Sequence, residues 1–302
     1  MQDFLGNQQI IQLFCKLPKE ALSHAYLFSG REGLGKRTFA LKLIQSLQCP
    51  QGKILKPCLK CPACLQITHN SHPDTIILKG EEKISINEVR KIQRKINLKS
   101  QQSPLKICLI DNAERLTKEA QNAILKILEE PPQNSLFILI TAKPKLLSAT
   151  IRSRCQNIPF RPLKKSALKA EIAKIFPALQ ITETILNYAD GAPGKAIRFL
   201  NDSEFSSEFK EQQKIFQKFS TASLTERFQI NNQLSQKTLQ EIQTLLENWL
   251  FYTDLELKTG TNQSQQWSKL AETLLEIKQK TAYNLNKRIL LDQLALKGPR
   301  IQ

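Results

Sequence analysis

A glycine-rich segment near the amino terminus has the residue types that bind phosphate. Residues 30–38 read GREGLGKRT and follow the apolar run 25–28, AYLF. A strand, a glycine turn and a helix together present backbone N–H groups to a phosphate, and a lysine there reaches the β- and γ-phosphates. Two alternatives stay open: a plain glycine turn, and a loop of the right shape that binds weakly or not at all. We predict a nucleotide-binding loop made of Gly30, Gly33, Gly35, Lys36, Arg37 and Thr38.

Two positions depart from the pattern of a working ATPase. The pattern places Ser or Thr directly after the lysine as a magnesium ligand. This chain has Arg37 there and Thr38 one residue later. Residues 107–114 read ICLIDNAE, so Asp111 ends an apolar strand, where it can hold magnesium through water or serve as a cap or turn residue. Asn112 stands where many P-loop ATPases carry the glutamate that activates water, and an amide cannot accept a proton.

These departures set the expected activity. Glu114 is the next carboxylate along the chain, but strand and turn geometry is expected to point it away from the loop. We therefore expect no efficient ATP hydrolysis by this chain. Whether ATP with Mg²⁺ binds at all stays open at this point.

Cysteine spacing predicts a metal site. Cys49, Cys58, Cys61 and Cys64 lie within 16 residues in the pattern Cys-x8-Cys-x2-Cys-x2-Cys. Two Cys-x2-Cys turns place thiolates around one tetrahedral ion, and thiolates prefer zinc to hard cations. We predict a structural Zn²⁺ site with no open coordination position. An iron–sulfur cluster could use the same ligands, and His69 or His72 could substitute for one of them.

The charge balance favours an anionic partner. The chain of 302 residues has 44 Lys and Arg against 27 Asp and Glu, a formal net charge of +17. Such an excess favours a polyanion such as DNA, although a solvated lysine-rich surface would give the same number. Because the sequence has neither a long apolar span nor a basic-then-apolar leader, we expect no membrane association and a cytoplasmic location.

Apolar patterning predicts an α/β fold followed by an all-α region. Strand-length apolar runs alternate with helical patterns in the first half, which indicates a parallel sheet covered on both faces. Beyond about residue 163 the strand signals stop and helical patterns continue to the end. We predict three domains: a nucleotide-binding-type domain at 1–162 with the cysteine module at 49–64, a small helical lid at 163–205, and a C-terminal helical domain at 206–302.

Taken together, these segments resemble the clamp-loader branch of the AAA+ ATPases, from about Phe4 to Leu200. The similar segments include 24–28 (HAYLF) before the loop, the cysteine module after its helix, and 71–74 (SHPD). Residues 123–132 (AILKILEEPP) resemble a hallmark of that family, and 153–155 (SRC) resembles its arginine motif. As a set these motifs are highly specific, which the phosphate loop alone would not be.

The resemblance implies roles that spacing alone does not give. It implies an AAA+ domain, a lid and a C-terminal collar within a five-subunit ring that opens a sliding clamp around primer–template DNA. Arg154 would reach in trans into a neighbour's ATP site, and Thr141 would sense the γ-phosphate unless it is a plain strand-end threonine. The partners implied are gamma/tau-type motor subunits, the delta subunit, the clamp and DNA.

Three functions compete at the level of sequence. Arg37 and Asn112 favour a stator-type subunit that completes a neighbour's ATP site. The first alternative is a hydrolysing gamma/tau-type motor subunit with an unusual loop. The second is a zinc-bearing DNA-binding module without assembly partners, in which replacing Arg154 would change no other protein's activity.

Overall fold

Short apolar runs form the parallel sheet that the sequence predicts. The computed structural model describes residues 4–177, 179–260, 263–281 and 286–301, and in these ranges it has a five-stranded sheet in the order β2-β3-β4-β1-β5. All paired neighbours run parallel. The strands are β1 Ala25–Ser29, β2 Thr75–Lys79, β3 Lys106–Asp111, β4 Ser135–Thr141 and β5 Gln156–Pro159.

Helices connect the strands and continue alone toward the carboxyl end. Those of the α/β part are α1 Gln8–Lys16, α2 Lys36–Gln48, α3 Pro62–Thr68, α4 Ile86–Asn97, α5 Lys118–Glu129 and α6 Ala149–Arg154. The later ones are α7 Lys165–Ile175, α8 Glu183–Ala189, α9 Pro193–Asn201, α10 Ser203–Thr221, α11 Leu224–Leu234, α12 Leu239–Thr259, α13 Ser264–Thr281 and α14 Lys287–Lys297. The predicted α/β-then-α order is therefore confirmed. Among these described helices, none is long and apolar enough to cross a membrane.

Alternating side chains of the buried strands build two cores, one on each face of the sheet. In β1, Tyr26 and Phe28 belong to one core while Ala25 and Leu27 belong to the other. All five residues of β1 are buried, as expected for a strand in a parallel sheet that is covered on both faces. Because β1 pairs with β4 on one side and β5 on the other, the loop that follows it starts from a strand bonded along both edges.

One residue of the 71–74 motif anchors a loop at the start of the sheet. The carboxylate of Asp74, 3% exposed, accepts hydrogen bonds from the backbone N–H groups of Gln101, Gln102 and Ser103 at 2.7–2.9 Å. These bonds hold the pKa of Asp74 below its usual range even though burial alone would raise it. Asp74 therefore holds residues 101–103, the segment that leads into β3, in place.

Contacts among the Cα atoms divide the chain into two units, residues 1–196 and 197–302. The first unit contains the sheet and the phosphate loop. The second contains α10 to α14. The three-domain division at 162 and 205 stays a prediction.

A buried guanidinium joins the helix ends of the second unit. Arg227 on α11 is 3% exposed. Each of its three nitrogens donates to backbone carbonyls, with acceptors at the end of α10 and at or just after the end of α14: Phe219, Ser220, Ala295, Gly298 and Pro299. Burial, and to a lesser extent the charge of Arg300, lowers its pKa. Because α10 and α14 are far apart in sequence, the hydrogen bonds of Arg227 join the end of α10 to the end of α14.

Replacing Arg227 with methionine is expected to destabilise this unit by about 3 kcal/mol or more, because several buried carbonyls would lose their donors. Methionine keeps much of the side-chain volume, so the loss would report hydrogen bonds rather than a cavity. Urea unfolding of the full chain measures the change in the free energy of unfolding. Arg288→Met on the exposed start of α14 is the matched control and should change it by about 0.5 kcal/mol or less.

Candidate functional site

The glycines of the phosphate loop are required by its backbone. Gly30, Gly33 and Gly35 have φ values of 139°, 79° and 82°, in the region that only glycine adopts without strain. A Cβ on Gly30 would lie 2.5 Å from the carbonyl oxygen of Phe160. The predicted glycine loop is thus present between β1 and the start of α2.

The loop is braced from its outer side by α9. The N–H of Gly194 donates to the carbonyl of Gly33 at 2.8 Å, and a Cβ on Gly33 would lie 3.0 Å from the Lys195 side chain. Both residues belong to the same unit as the loop. Contacts of the chain itself therefore support the loop in this conformation.

Lys36 is buried and turned onto its own loop. Its Nζ donates to the carbonyls of Gly30 at 2.5 Å and Arg31 at 2.7 Å, and the residue is 6% exposed. Burial lowers the pKa of Lys36, while the charges of Glu114, Glu32 and Asp111 act in the opposite direction. The lysine therefore lies against the carbonyls of its own loop, and its contact with phosphates stays a prediction.

Arg37 occupies the position where the loop pattern places a magnesium ligand. Its Nη1 donates to Asp111 Oδ2 at 2.9 Å, an ion pair in which the Asp111 side chain is 12% exposed. The position after Lys36 therefore carries the cationic side chain of Arg37 instead of a hydroxyl. Arg37 pairs with the carboxylate of Asp111, which the loop pattern would place beside the metal. These residues do not fit Mg²⁺, which needs oxygen ligands.

Asn112 lies in the turn that follows β3. It has φ 52° and ψ 50°, in the left-handed region that asparagine tolerates better than most residues. Its Nδ2 donates to the carbonyl of Gly80 at 3.1 Å. The amide thus stabilises the turn after β3, and its Nδ2 is engaged by the Gly80 carbonyl.

Glu114 contradicts the expectation that it points away from the loop. The left-handed Asn112 and the short 3₁₀ turn Ala113–Arg115 turn its side chain back toward β4. Its Oε1 accepts from the N–H of Ala142 at 3.1 Å, and its charge has the strongest electrostatic effect on Lys36. Among the described residues Oε2 is buried without a hydrogen-bond partner. The sequence did contain a signal for this. Residues 111–114 read DNAE, and an asparagine at the second position permits the left-handed turn that reverses the chain direction.

The remaining predicted loop residues lie around one cavity. A cavity of about 240 Å³ is lined by Thr38, Asp111, Asn112 and Ala142 together with the loop glycines Gly33 and Gly35. Thr141 is fully buried, and its hydroxyl accepts from the N–H of Lys143 at 3.0 Å. That bond is what a strand-end threonine makes, so its sensor role stays a prediction.

The cysteine module forms a cluster that could hold a metal ion. The Sγ atoms of Cys49, Cys58, Cys61 and Cys64 all lie within 4.8 Å of one another, and those of Cys49 and Cys61 are 3.9 Å apart. Tetrahedral Zn²⁺ with Zn–S bonds of about 2.3 Å needs sulfurs about 3.8 Å apart. The cluster therefore fits zinc.

Helix α2 positions the cysteine cluster. Cys49 directly follows α2, and Cys61 precedes α3, which carries Cys64. From α2, Gln45 Nε2 donates to the Cys64 carbonyl at 3.3 Å and Ser46 Oγ accepts from the Leu55 N–H at 2.9 Å. The module thus follows the helix that begins at the phosphate loop.

Two of the four cysteines, Cys58 and Cys64, differ in acidity. The N–H groups of Lys60 and Cys61 lower the pKa of Cys58 to about 6. Burial raises the pKa of the Cys64 thiol to about 12. Of the two histidines, His72 packs against its own turn through an Asp74 N–H at 3.2 Å, and the described cluster contains only cysteines.

Arg154 ends α6 on the surface. Its Nη2 lies 2.8 Å from Glu129 Oε1, and the two side chains are 37% and 42% exposed. Glu129 belongs to the AILKILEEPP segment, so two motifs that looked separate in the sequence meet here. The ion pair orients the guanidinium while leaving a third of the side chain open to solvent.

Three comparisons place the chain among known proteins. A family model described as DNA polymerase III, delta subunit, matches residues 6–164. A DNA polymerase III subunit delta′ of Bacillus subtilis is 30% identical, covering 94% of this chain and 93% of that protein. A subunit tau of the same bacterium is 34% identical, covering 67% of this chain and 37% of that protein.

A solved structure supports the fold. A DNA polymerase III gamma subunit-related protein of Thermotoga maritima matches with a TM-score of 0.54 at 18% identity, covering 97% of this chain and 98% of that one. At this identity the likeness concerns the fold alone. Because the family model matches more than half of the chain and the delta′ relative nearly all of it, the chain belongs to the clamp-loader subunit family of DNA polymerase III.

Proposed function

We propose that this chain is the delta′-type stator of a DNA polymerase III clamp loader. In this role it completes a neighbouring subunit's ATP site with Arg154 and hydrolyses little or no ATP itself. The observation that carries the proposal is the Arg37–Asp111 ion pair at 2.9 Å, which fills the magnesium side of an otherwise well-formed phosphate loop. The match to a delta′ subunit over 94% of the chain supports the same role.

The trans role of Arg154 is supported by its position. A guanidinium placed against a neighbour's γ-phosphate stabilises the charge of the transition state. Arg154 is partly exposed and oriented by Glu129, and no described contact buries it against the chain's own phosphate loop. An arginine held at the surface in this way can serve another subunit.

The proposed partners follow from the relatives and from charge. Gamma/tau-type motor subunits and a delta subunit would form the ring with this chain, in line with its likeness to the tau relative. The net charge of +17 suits primer–template DNA at which the sliding clamp is loaded. A cytoplasmic location belongs to the same proposal, and the cysteine cluster would hold a structural Zn²⁺.

A hydrolysing gamma/tau-type motor is the second candidate, and one observation favours it. The charge of Glu114 acts on Lys36, and within the described part of the chain its buried Oε2 has no hydrogen-bond partner, so it could act as the base that Asn112 cannot supply. The mismatch to Mg²⁺ at Arg37 speaks against this candidate, because the metal neutralises the developing charge in phosphoryl transfer.

Reconstitution tests whether clamp loading needs this chain. Motor and delta subunits are mixed with primed DNA and clamp, with or without this chain, and both ATP turnover and clamp retained on DNA are measured. We expect both quantities to rise when the chain is added, although the chain contributes no turnover of its own. An assembly that loads clamps equally well without the chain would contradict the stator proposal.

A further inference from the structure

The Arg37–Asp111 pair changes which ligand the phosphate loop can take. In loops with a serine or threonine after the lysine, Mg²⁺ bridges the β- and γ-phosphate oxygens and is held by that hydroxyl and a strand-end acid. Here the hydroxyl is absent, and the Asp111 carboxylate accepts from Arg37. A cation of the chain itself stands beside the cradle in place of the metal.

We propose that this loop binds a nucleoside diphosphate without a divalent cation, with the Arg37 guanidinium contacting the phosphates in place of Mg²⁺. The inference rests on the nucleotide loop of the proposed function and does not depend on Arg154. It makes the loop a metal-independent binding site rather than a weakened catalytic one.

The guanidinium has the chemistry for this task. Arginine presents N–H donors in a planar fork that matches phosphate oxygens and stays charged at any physiological pH. One nitrogen of Arg37 is engaged by Asp111, and the side chain is 41% exposed. Asp111 thereby holds one nitrogen of the fork, and Arg37 lines the cavity beside the loop together with Lys36 and Thr38.

The cradle is formed before any ligand arrives. Gly33 accepts from the Gly194 N–H at 2.8 Å, and the carbonyls of Gly30 and Arg31 hold Lys36. A preorganised site loses less conformational entropy on binding. The cavity of about 240 Å³ beside the loop gives the phosphates a place next to both cations.

Charge favours a diphosphate over a triphosphate. Mg²⁺ would supply two positive charges, whereas Arg37 supplies one and is already paired with Asp111. Glu32 and Glu114 add negative charge around Lys36. The negative charge of a γ-phosphate would therefore be poorly neutralised. We expect ADP to bind at least as tightly as ATP when Mg²⁺ is absent.

Calorimetric titration of the full chain with ADP tests the proposal. Magnesium is removed by exchange into metal-depleted buffer without a chelator, so that a metal on the cysteine cluster stays in place. Wild type is expected to bind ADP with the same affinity, to within about twofold, with and without Mg²⁺. Arg37→Thr restores the hydroxyl and is expected to lose about tenfold or more in affinity when Mg²⁺ is removed.

Two controls locate the bound nucleotide. Lys36→Ala should abolish ADP binding in both buffers if the ligand sits in this loop, whereas Lys169→Thr on the exposed face of α7 should leave the affinity unchanged. Wild type that needs Mg²⁺ for ADP binding, or that binds no ADP in either buffer, would overturn the proposal. Neither result bears on the neighbour's ATP site, which the Arg154 variants report separately in the assembled complex.

Discussion

Replacing Arg154 with alanine is expected to lower ATP turnover at the neighbouring site that it completes by about 10³-fold or more, the effect of removing a trans arginine in phosphoryl transfer. The loss should appear in turnover and not in assembly, because Arg154 is partly exposed and its main described partner is Glu129 on the same chain. Steady-state turnover of the assembled subunits with primed DNA and clamp measures it.

Arg152 gives a matched control on the same helix. It is exposed, lies two residues from Arg154, and carries the same charge, so Arg152→Ala should leave turnover close to wild type. If both variants lower turnover equally, a general loss of surface charge explains the effect and the specific role of Arg154 is wrong.

The ion pair with Glu129 offers a finer test of the same role. Glu129→Gln keeps the shape of the side chain but removes the charge that orients Arg154 at 2.8 Å. An exposed pair of this kind contributes about 0–1 kcal/mol, so turnover should fall by a few-fold at most. A loss as large as that of Arg154→Ala would mean that Glu129 has a role of its own.

Removing the metal from the cysteine cluster is expected to unfold the module at residues 49–64. Structural Zn²⁺ contributes about 10–16 kcal/mol of apparent binding free energy in small zinc-binding peptides, and this module has an irregular loop between α2 and α3. We expect one Zn²⁺ per chain by elemental analysis, and Cys58→Ser should reduce that content. Hydrogen exchange should then speed up in the module while the sheet stays protected.

A cysteine outside the cluster provides the control for the metal-binding prediction. Cys15 is an exposed cysteine outside the cluster, so Cys15→Ser should keep the zinc content of wild type. A protein that contains no metal when purified without chelators, and whose module is protected in hydrogen exchange, would contradict the assignment. A visible absorbance band with bound iron would instead support the iron–sulfur alternative.

The α/β fold was predictable because its signals are local. Apolar runs of strand length and the glycines of the loop each report their own stretch of chain, and β1 to β4 appear where the runs lie. Strand β5 was not predicted. It has four residues, of which only Ile158 is buried, so its composition differs little from that of a loop.

The chemistry of the site depended on contacts that sequence does not encode locally. Arg37 and Asp111 are 74 positions apart. Their pairing follows from the parallel sheet, in which β4 alone separates β1 from β3 and the carboxyl ends of all three strands lie at the same edge. Glu114 was misjudged because a single left-handed residue, Asn112, reverses the chain direction. Arg227 was missed as well, since a buried arginine among carbonyls has no pattern in sequence.

The most direct test of the stator role is ATP turnover by the purified chain alone, with Mg²⁺ and primed DNA, compared with its Lys36→Ala and Glu114→Gln variants. We expect no turnover above the Lys36→Ala sample, since Arg37 occupies the magnesium side and Asn112 is turned toward Gly80. Turnover by wild type that disappears in both variants would contradict the stator role and identify Glu114 as the base of a working motor.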